Sequence, residues 1–154
     1  MGTTLVAYAT RGGSTRAVAE AVATTLRQSG AEVDVSDVTD VHDVDRYSTV
    51  VLGAPLYAGR FLRTARRFIR RNRSELAGMP VAVFALGPRD EDAEKWARSR
   101  DQLDRELARY VELDPVATAL FGGADQPKRG VDGRDLRDWA DITEWAEGLV
   151  GVLG

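Results

Sequence analysis

The sequence predicts an α/β protein: a five-stranded parallel sheet of order 2-1-3-4-5, layered between helices, in one domain spanning residues 1–154. Three features point there. Short apolar runs lack the alternation of a half-exposed strand, amphipathic stretches with helical period separate them, and the two kinds alternate along nearly the whole chain. Strands apolar on both faces need helices on both faces, and strand–helix alternation then favours parallel strands joined by right-handed crossovers.

The elements follow in order. Residues 4–9 (TLVAYA) form the first strand. A helix is expected from about Ser14 to Ser29, because Val18, Val22 and Leu26 recur at i, i+4 and i+8 and Gly30 supplies a stop. Residues 31–36 (AEVDVS) give the second strand. Asp-Val pairs at 34, 37, 40 and 43 follow with a period of three, which suits neither strand nor helix, so a solvated acidic loop is expected. That loop lacks the glycine and terminal glutamate of a calcium site.

Strands three to five fall at 48–54 (STVVLGA), 80–86 (PVAVFAL) and 116–121 (VATALF). Between them, residues 61–74 carry Phe61, Leu62, Ala65, Phe68 and Ile69 on one stripe, and residues 91–110 carry Ala93, Trp96, Leu103, Leu107 and Tyr110. A last helix from about Asp135 presents Leu136, Trp139, Ile142, Ala146, Leu149 and Leu153.

Composition narrows the function classes. A net charge of −3 gives no electrostatic footprint for nucleic acid. The absence of cysteine removes disulfides, thiolate nucleophiles and Cys-ligated zinc. His42 is the single histidine, so neither a Ser-His-Asp triad nor a histidine metal cluster is available, and no metal site is expected. No stretch approaches the ~18 to 20 apolar residues of a membrane span, and the N-terminus has no signal-peptide pattern. A cytoplasmic protein with no integral membrane segment is therefore expected.

In doubly wound sheets ligands sit beyond the carboxyl ends of the strands, at the switch point between strands 1 and 3. The loop after strand 1, Tyr8–Arg16 (YATRGGSTR), has a glycine pair, the hydroxyls of Thr10, Ser14 and Thr15, and a helix N-terminus behind it. These are the components of an anion cradle. The alternative is a plain turn with Ser14 as N-cap. The loop lacks both the lysine of a nucleotide triphosphate loop and the G-x-G-x-x-G of a dinucleotide site, which leaves a monophosphate as the better fit. A phosphoacceptor receiver domain would need acidic residues where this chain has Thr10, Arg11 and Gly53-Ala54-Pro55.

After strand 3, Gly53–Phe61 (GAPLYAGRF) offers Pro55, Leu56 and Tyr57 as a surface for a planar ring, with Gly59 allowing close approach. After strand 4, Leu86–Asp92 (LGPRDED) supplies a glycine and a proline, and either Asp90 or Asp92 can cap the next helix.

These loops resemble the flavodoxin superfamily, and TRGGSTR, VLGAPLYAGRF, ALFGG at Ala119–Gly123 and DLRDWADITEWAEGL resemble its branch of FMN-dependent, protoporphyrinogen-oxidase-like proteins. The resemblance implies a flavodoxin-like three-layer sandwich and FMN as cofactor. It implies that Thr10, Arg11, Gly12, Gly13, Ser14 and Thr15 hold the phosphate. Pro55, Leu56, Tyr57, Ala58 and Gly59, with Leu86, Gly87, Pro88 and Arg89, would hold the ring. Amides around Gly59 and Gly87 would tune the ring, whose N5 atom would be the redox centre. That oxidase carries a long insertion where this chain has only residues 122–135 (GGADQPKRGVDGRD). The expected partner is a small redox substrate or a redox protein, which leaves an electron-carrier flavodoxin, or a flavodoxin fold without flavin, as alternatives.

Seven arginines fall between Arg60 and Arg73. They lie off the Phe61, Ala65, Phe68 stripe, as a solvated helix face would, and only Arg60 is a candidate for substrate contact. Trp96, Trp139 and Trp145 sit at helical spacing and are expected to pack rather than touch a ligand.

Overall fold

The computed structural model describes residues 2–125 and 133–153. Its strands are β1 (Thr4–Tyr8), β2 (Val33–Asp37), β3 (Thr49–Tyr57), β4 (Arg60–Phe61), β5 (Val81–Leu86) and β6 (Ala117–Phe121). Its helices are α1 (Ser14–Gln28), α2 (Arg63–Arg71), α3 (Arg73–Ala77), α4 (Ala93–Ala108) and α5 (Trp139–Val152). The sheet runs β2-β1-β3-β5-β6, every neighbouring pair parallel. This is the expected 2-1-3-4-5 order of five parallel strands, with β4 added as an antiparallel partner of β3.

Side chains alternate across each strand, so the two sheet faces build two cores. Leu5, Ala7, Val50, Leu52 and Val83 meet Phe68, Ile69 and Leu103 from α2 and α4 on one face. Val6, Val51, Ala82 and Phe84 meet Val18, Val22, Ile142 and Leu149 from α1 and α5 on the other. Trp145 packs edge-on against Phe84 and Phe121, with ring centroids 6.0 and 5.8 Å away. β1 and β5 are buried throughout, which is why they carry no alternation.

Several boundaries differ from the sequence expectation. The helix expected over 61–74 starts at Arg63, because Arg60 and Phe61 pair with Tyr57 and Leu56 instead. It breaks at Asn72, a buried side chain that donates from Nδ2 to the Phe68 carbonyl at 2.9 Å. The last helix starts at Trp139 rather than near Asp135, with Asp138 accepting from the Asp141 amide. Trp139 is exposed, correcting the expectation that it packs; the Arg137 guanidinium lies over its ring, 5.0 Å from the centroid. On α4 the fully buried residues are Leu103 and Glu106, with Trp96 and Leu107 packed half-buried against the same core, so a carboxylate sits beside the expected apolar stripe.

The Asp-Val repeat also has a structural account. Val38, Val41 and Val44 are buried while the residues between them point outward. The segment opens with a short 3₁₀ turn, Val38–Asp40, capped by the Asp37 side chain. A three-residue period is the one that keeps valines on a single side of such a turn.

Candidate functional site

The site forms at the carboxyl edge, where β1, β3, β5 and β6 end. After β1, the Ala9 amide donates to the Gly53 carbonyl at 2.9 Å, which extends the sheet bonding by one residue. The chain then turns: the Gly13 amide donates to Thr10 Oγ1 at 2.9 Å, and Gly13 adopts φ 95°. Only glycine takes that conformation without strain. Gly13, not Ser14, is the cap residue of α1, and no side chain caps this helix. Ser14 is the first residue of the helix, so the N-cap role that the plain-turn alternative gave it falls to Gly13. The amides of the first turn of α1 have no acceptor within the helix and aim their positive dipole end at this loop.

Thr15 is fully buried, and its Oγ1 has no hydrogen-bond partner among the described residues. An unsatisfied buried hydroxyl costs about 1 to 3 kcal/mol, and such groups ordinarily find partners.

β3 runs three residues further than the sequence suggests, to Tyr57, so Pro55, Leu56 and Tyr57 are strand rather than loop. Ala58 and Gly59 then form a two-residue hairpin turn with φ 49° and 79°. Positive φ at both positions is what a hairpin of matching twist needs. After β5, the Gly87 amide donates to the Phe121 carbonyl at 2.9 Å, and the Gly123 amide to the Pro88 carbonyl at 2.8 Å. The third loop is thus sewn to the end of β6. The Gly87 amide is spent there, correcting the expectation that it is free to tune a ring. A Cβ on Gly123 would lie 2.6 Å from the Gly87 carbonyl oxygen, so this glycine is what lets the two loops touch.

Between the loops lies a cavity of about 490 Å³. Arg11, Gly12 and Ser14 line it from the first loop, Pro55, Leu56 and Tyr57 from β3, and Leu86, Gly87 and Arg89 from the third. Ala58, Gly59 and Pro88 line an adjoining hollow of about 360 Å³. Thr10, Gly13 and Thr15 are not among the lining residues; Thr15 is buried, and the bond from the Gly13 amide to Thr10 shapes the first loop. Arg60 is the exception. Its guanidinium is bonded to the buried Glu106 carboxylate and lines a different cavity, so it does not join the predicted ring site. The Arg11 guanidinium lies over the Tyr57 ring, 4.6 Å from the centroid.

Three contributors were not picked out from the sequence. Asp125 and Arg134 complete the cavity wall from the two ends of a segment closed by an Ala124–Asp135 antiparallel bridge. Much of residues 122–135 falls at 126–132, outside the described residues. Asp125 accepts from the Arg134 amide at 2.8 Å, from Arg134 Nε at 3.0 Å and from Arg89 Nη1 at 3.0 Å. Its carboxyl is pulled down to about 2, chiefly by the Arg134 side chain and amide and then by Arg89. Asp90 is lowered as well, mainly by Lys95. Asp92, rather than Asp90, caps α4. Arg137 is the third: paired with Asp135, it donates from Nη1 to the Ser14 carbonyl at 3.4 Å and so buttresses the first loop. The only sequence signal for these three was the density of Asp and Arg after FGG.

Among the described residues, no group of three or more His, Asp or Glu could hold a metal ion, and no helix is long and apolar enough to cross a membrane.

A flavodoxin domain family model matches residues 5–129. The chain belongs to the flavodoxin domain family. It is 26% identical over 123 residues to the protoporphyrinogen IX dehydrogenase [quinone] of Escherichia coli K12, covering 79% of this chain and 68% of that protein. The Leishmania major protein of the same name is 27% identical over 126 residues, covering 78% of this chain and 53% of its own length. Among solved structures, a short-chain flavodoxin associated with a bacterial microcompartment superposes with a TM-score of 0.70 at 22% identity, over the whole of both chains. Flavodoxin 1 of Bacillus cereus does so with 0.69 at 19% identity, over 99% of this chain and 100% of its own.

Membership of this flavodoxin family implies FMN as the cofactor. The residues present fit that group. The orphaned Thr15 hydroxyl and the uncommitted α1 amides are donors suited to a phosphate, and the adjoining cavity is of small-molecule size.

Proposed function

We propose that this flavodoxin-domain protein is an FMN-dependent oxidoreductase that oxidises a small molecule, as the name of the protoporphyrinogen IX dehydrogenase relatives suggests. The observation that carries the reading is the buried, unpartnered Thr15 hydroxyl at the foot of a loop that opens into the cavity. A fold kept only as a scaffold has no reason to retain that cost.

In this reading the phosphate is held by the loop Thr10–Thr15, through the α1 amides and the Ser14 and Thr15 hydroxyls. Pro55 to Gly59 and Leu86 to Arg89 bound the ring. FMN, when bound, supplies the redox step at the N5 atom of its ring. The chain's own residues orient it and set the local charge. Arg11, Arg89 and Arg134 all line the cavity, with Asp125 as the one carboxylate among the described lining residues, and this favours negative charge there. Asp125, ionised down to about pH 2, is a counter-ion for Arg89 and Arg134 and not a proton donor near neutrality. Gly59, at the hairpin tip, lines the adjoining hollow, and in this reading its amide is a backbone donor to the ring.

A carrier role, passing electrons to a redox protein, is favoured by the end-to-end match to small flavodoxins. The absorbance spectrum of the purified protein is the first test: a yellow protein that releases FMN on denaturation is expected. A colourless protein that does not take up added FMN refutes both readings. Turnover of protoporphyrinogen with a quinone acceptor supports the enzyme; reduction of a cytochrome without such turnover replaces it with the carrier.

A further inference from the structure

A second cavity, of about 400 Å³, lies away from the carboxyl-edge site, among β4, α2, α3 and the end of α4. Its floor is apolar: Ile69, Leu76 and Leu113 are all buried. Four arginines from separate elements converge on it, namely Arg60, Arg70, Arg73 and Arg109. Arg60 and Arg109 share the fully buried Glu106 carboxylate. Arg70 and Arg73 have no ion-pair partner among the described residues. Glu106 and the rim residue Glu112 thus leave two guanidinium charges unbalanced, on a chain whose net charge is −3.

A solvated helix face accounts for part of this. Arg63 and Arg67 are exposed on α2 in that way, and Arg70 borders that face as well as the recess. It does not account for the convergence of arginines from α2, α3, β4 and the end of α4 over one apolar recess. An apolar floor flanked by fixed cations selects a ligand that is apolar in the middle and anionic at its ends. Guanidinium groups bind carboxylates in bidentate fashion, so Arg70, from the end of α2, and Arg73, from the start of α3, can each take one carboxylate at the rim of the recess.

We propose that this cavity binds a small dicarboxylate with a rigid apolar body, the body on Ile69, Leu76 and Leu113 and the carboxylates on Arg70 and Arg73. The proposal does not depend on the flavin reading, because the cavity shares no residue with the FMN site.

Isothermal titration of the full chain, with FMN added, against naphthalene-2,6-dicarboxylate tests it. Saturable one-to-one binding is expected. Succinate, which has the charges without the body, and naphthalene-2-carboxylate, which has the body with one charge, should each bind about tenfold or more weakly, the loss of one charge-assisted contact or of the apolar burial. R70A and R73A should each weaken the dicarboxylate by about tenfold, while R67A, on the same helix outside the cavity, leaves it unchanged. Denaturation midpoints of the variants within error of the parent show that folding is not the cause. Absence of saturable binding overturns the proposal, as does equal weakening by R67A, which would mark general attraction to a basic face. Succinate binding as tightly as the aromatic diacid overturns it too.

Discussion

Replacing Thr15 by valine should stabilise the flavin-free protein and weaken its hold on FMN, and the opposite signs are what make the test sharp. Valine keeps the β-branch and nearly the shape, so the helix start and the packing against β1 are preserved. In the flavin-free chain the hydroxyl is fully buried without a partner. Deleting it relieves a penalty of about 1 to 3 kcal/mol, and a gain of about 1 kcal/mol is expected after imperfect repacking. With FMN bound, the same atom is proposed to donate to a phosphate oxygen. A hydrogen bond to a charged group contributes about 1.5 to 3 kcal/mol, so Kd should rise roughly tenfold to a hundredfold. Urea denaturation of flavin-free protein reads the first effect, and quenching of FMN fluorescence on titration reads the second. A destabilised flavin-free variant with unchanged FMN affinity would refute the reasoning, since Thr15 would then be an ordinary packing residue.

Other outcomes follow from the same geometry. Gly123→Ala places a Cβ 2.6 Å from the Gly87 carbonyl, so it should cost about 1 to 3 kcal/mol in denaturant unfolding and weaken FMN by moving the third loop. Glu106→Ala strips the acceptor from Arg60, the Phe61 amide and the Tyr110 hydroxyl, and should destabilise by about 2 to 4 kcal/mol, with Glu106→Gln losing less. Because the Glu106 bonds pin β4 against α4, these variants should also loosen the Ala58–Gly59 turn, read as faster amide exchange there. The folded-state value of Asp125, about 2, lies below the ~3.9 of an unfolded aspartate. Its ion pairs therefore contribute stability that is complete above about pH 4 and fades as pH falls toward 2. Asp125→Asn should flatten that part of a stability-against-pH curve.

The parallel sheet was legible because its physics is local. A strand covered on both faces must be apolar at every position, and β1 and β5 are; the stripes of α1 and α2 repeat because each helix has one buried side. The first loop was legible for the same reason, since a glycine pair and clustered hydroxyls ahead of a helix are contiguous in the chain. The third loop and Arg11, Tyr57 and Arg89 were reached through the switch-point rule, which converts strand order into neighbours without coordinates.

What failed in the sequence reading failed where distance along the chain hides proximity. Arg60 stood next to the predicted ring residues, yet pairing with Tyr57 in a hairpin turned it toward Glu106, 46 residues away. Glu106 itself was invisible, because a carboxylate at a stripe position reads as a surface residue until its partners are known. Asp125, Arg134 and Arg137 reached the site only when the chain after β6 folded back against the first and third loops. The sequence alone thus determined the α/β layering, the strand order and the glycine- and hydroxyl-rich first loop ahead of α1, since hydrophobic periodicity and turn chemistry act within a few residues. Only the tertiary structure decided which charges face the cavity, which amides are already spent and where Arg60 goes, because ion pairs and sheet edges join residues that the chain holds far apart.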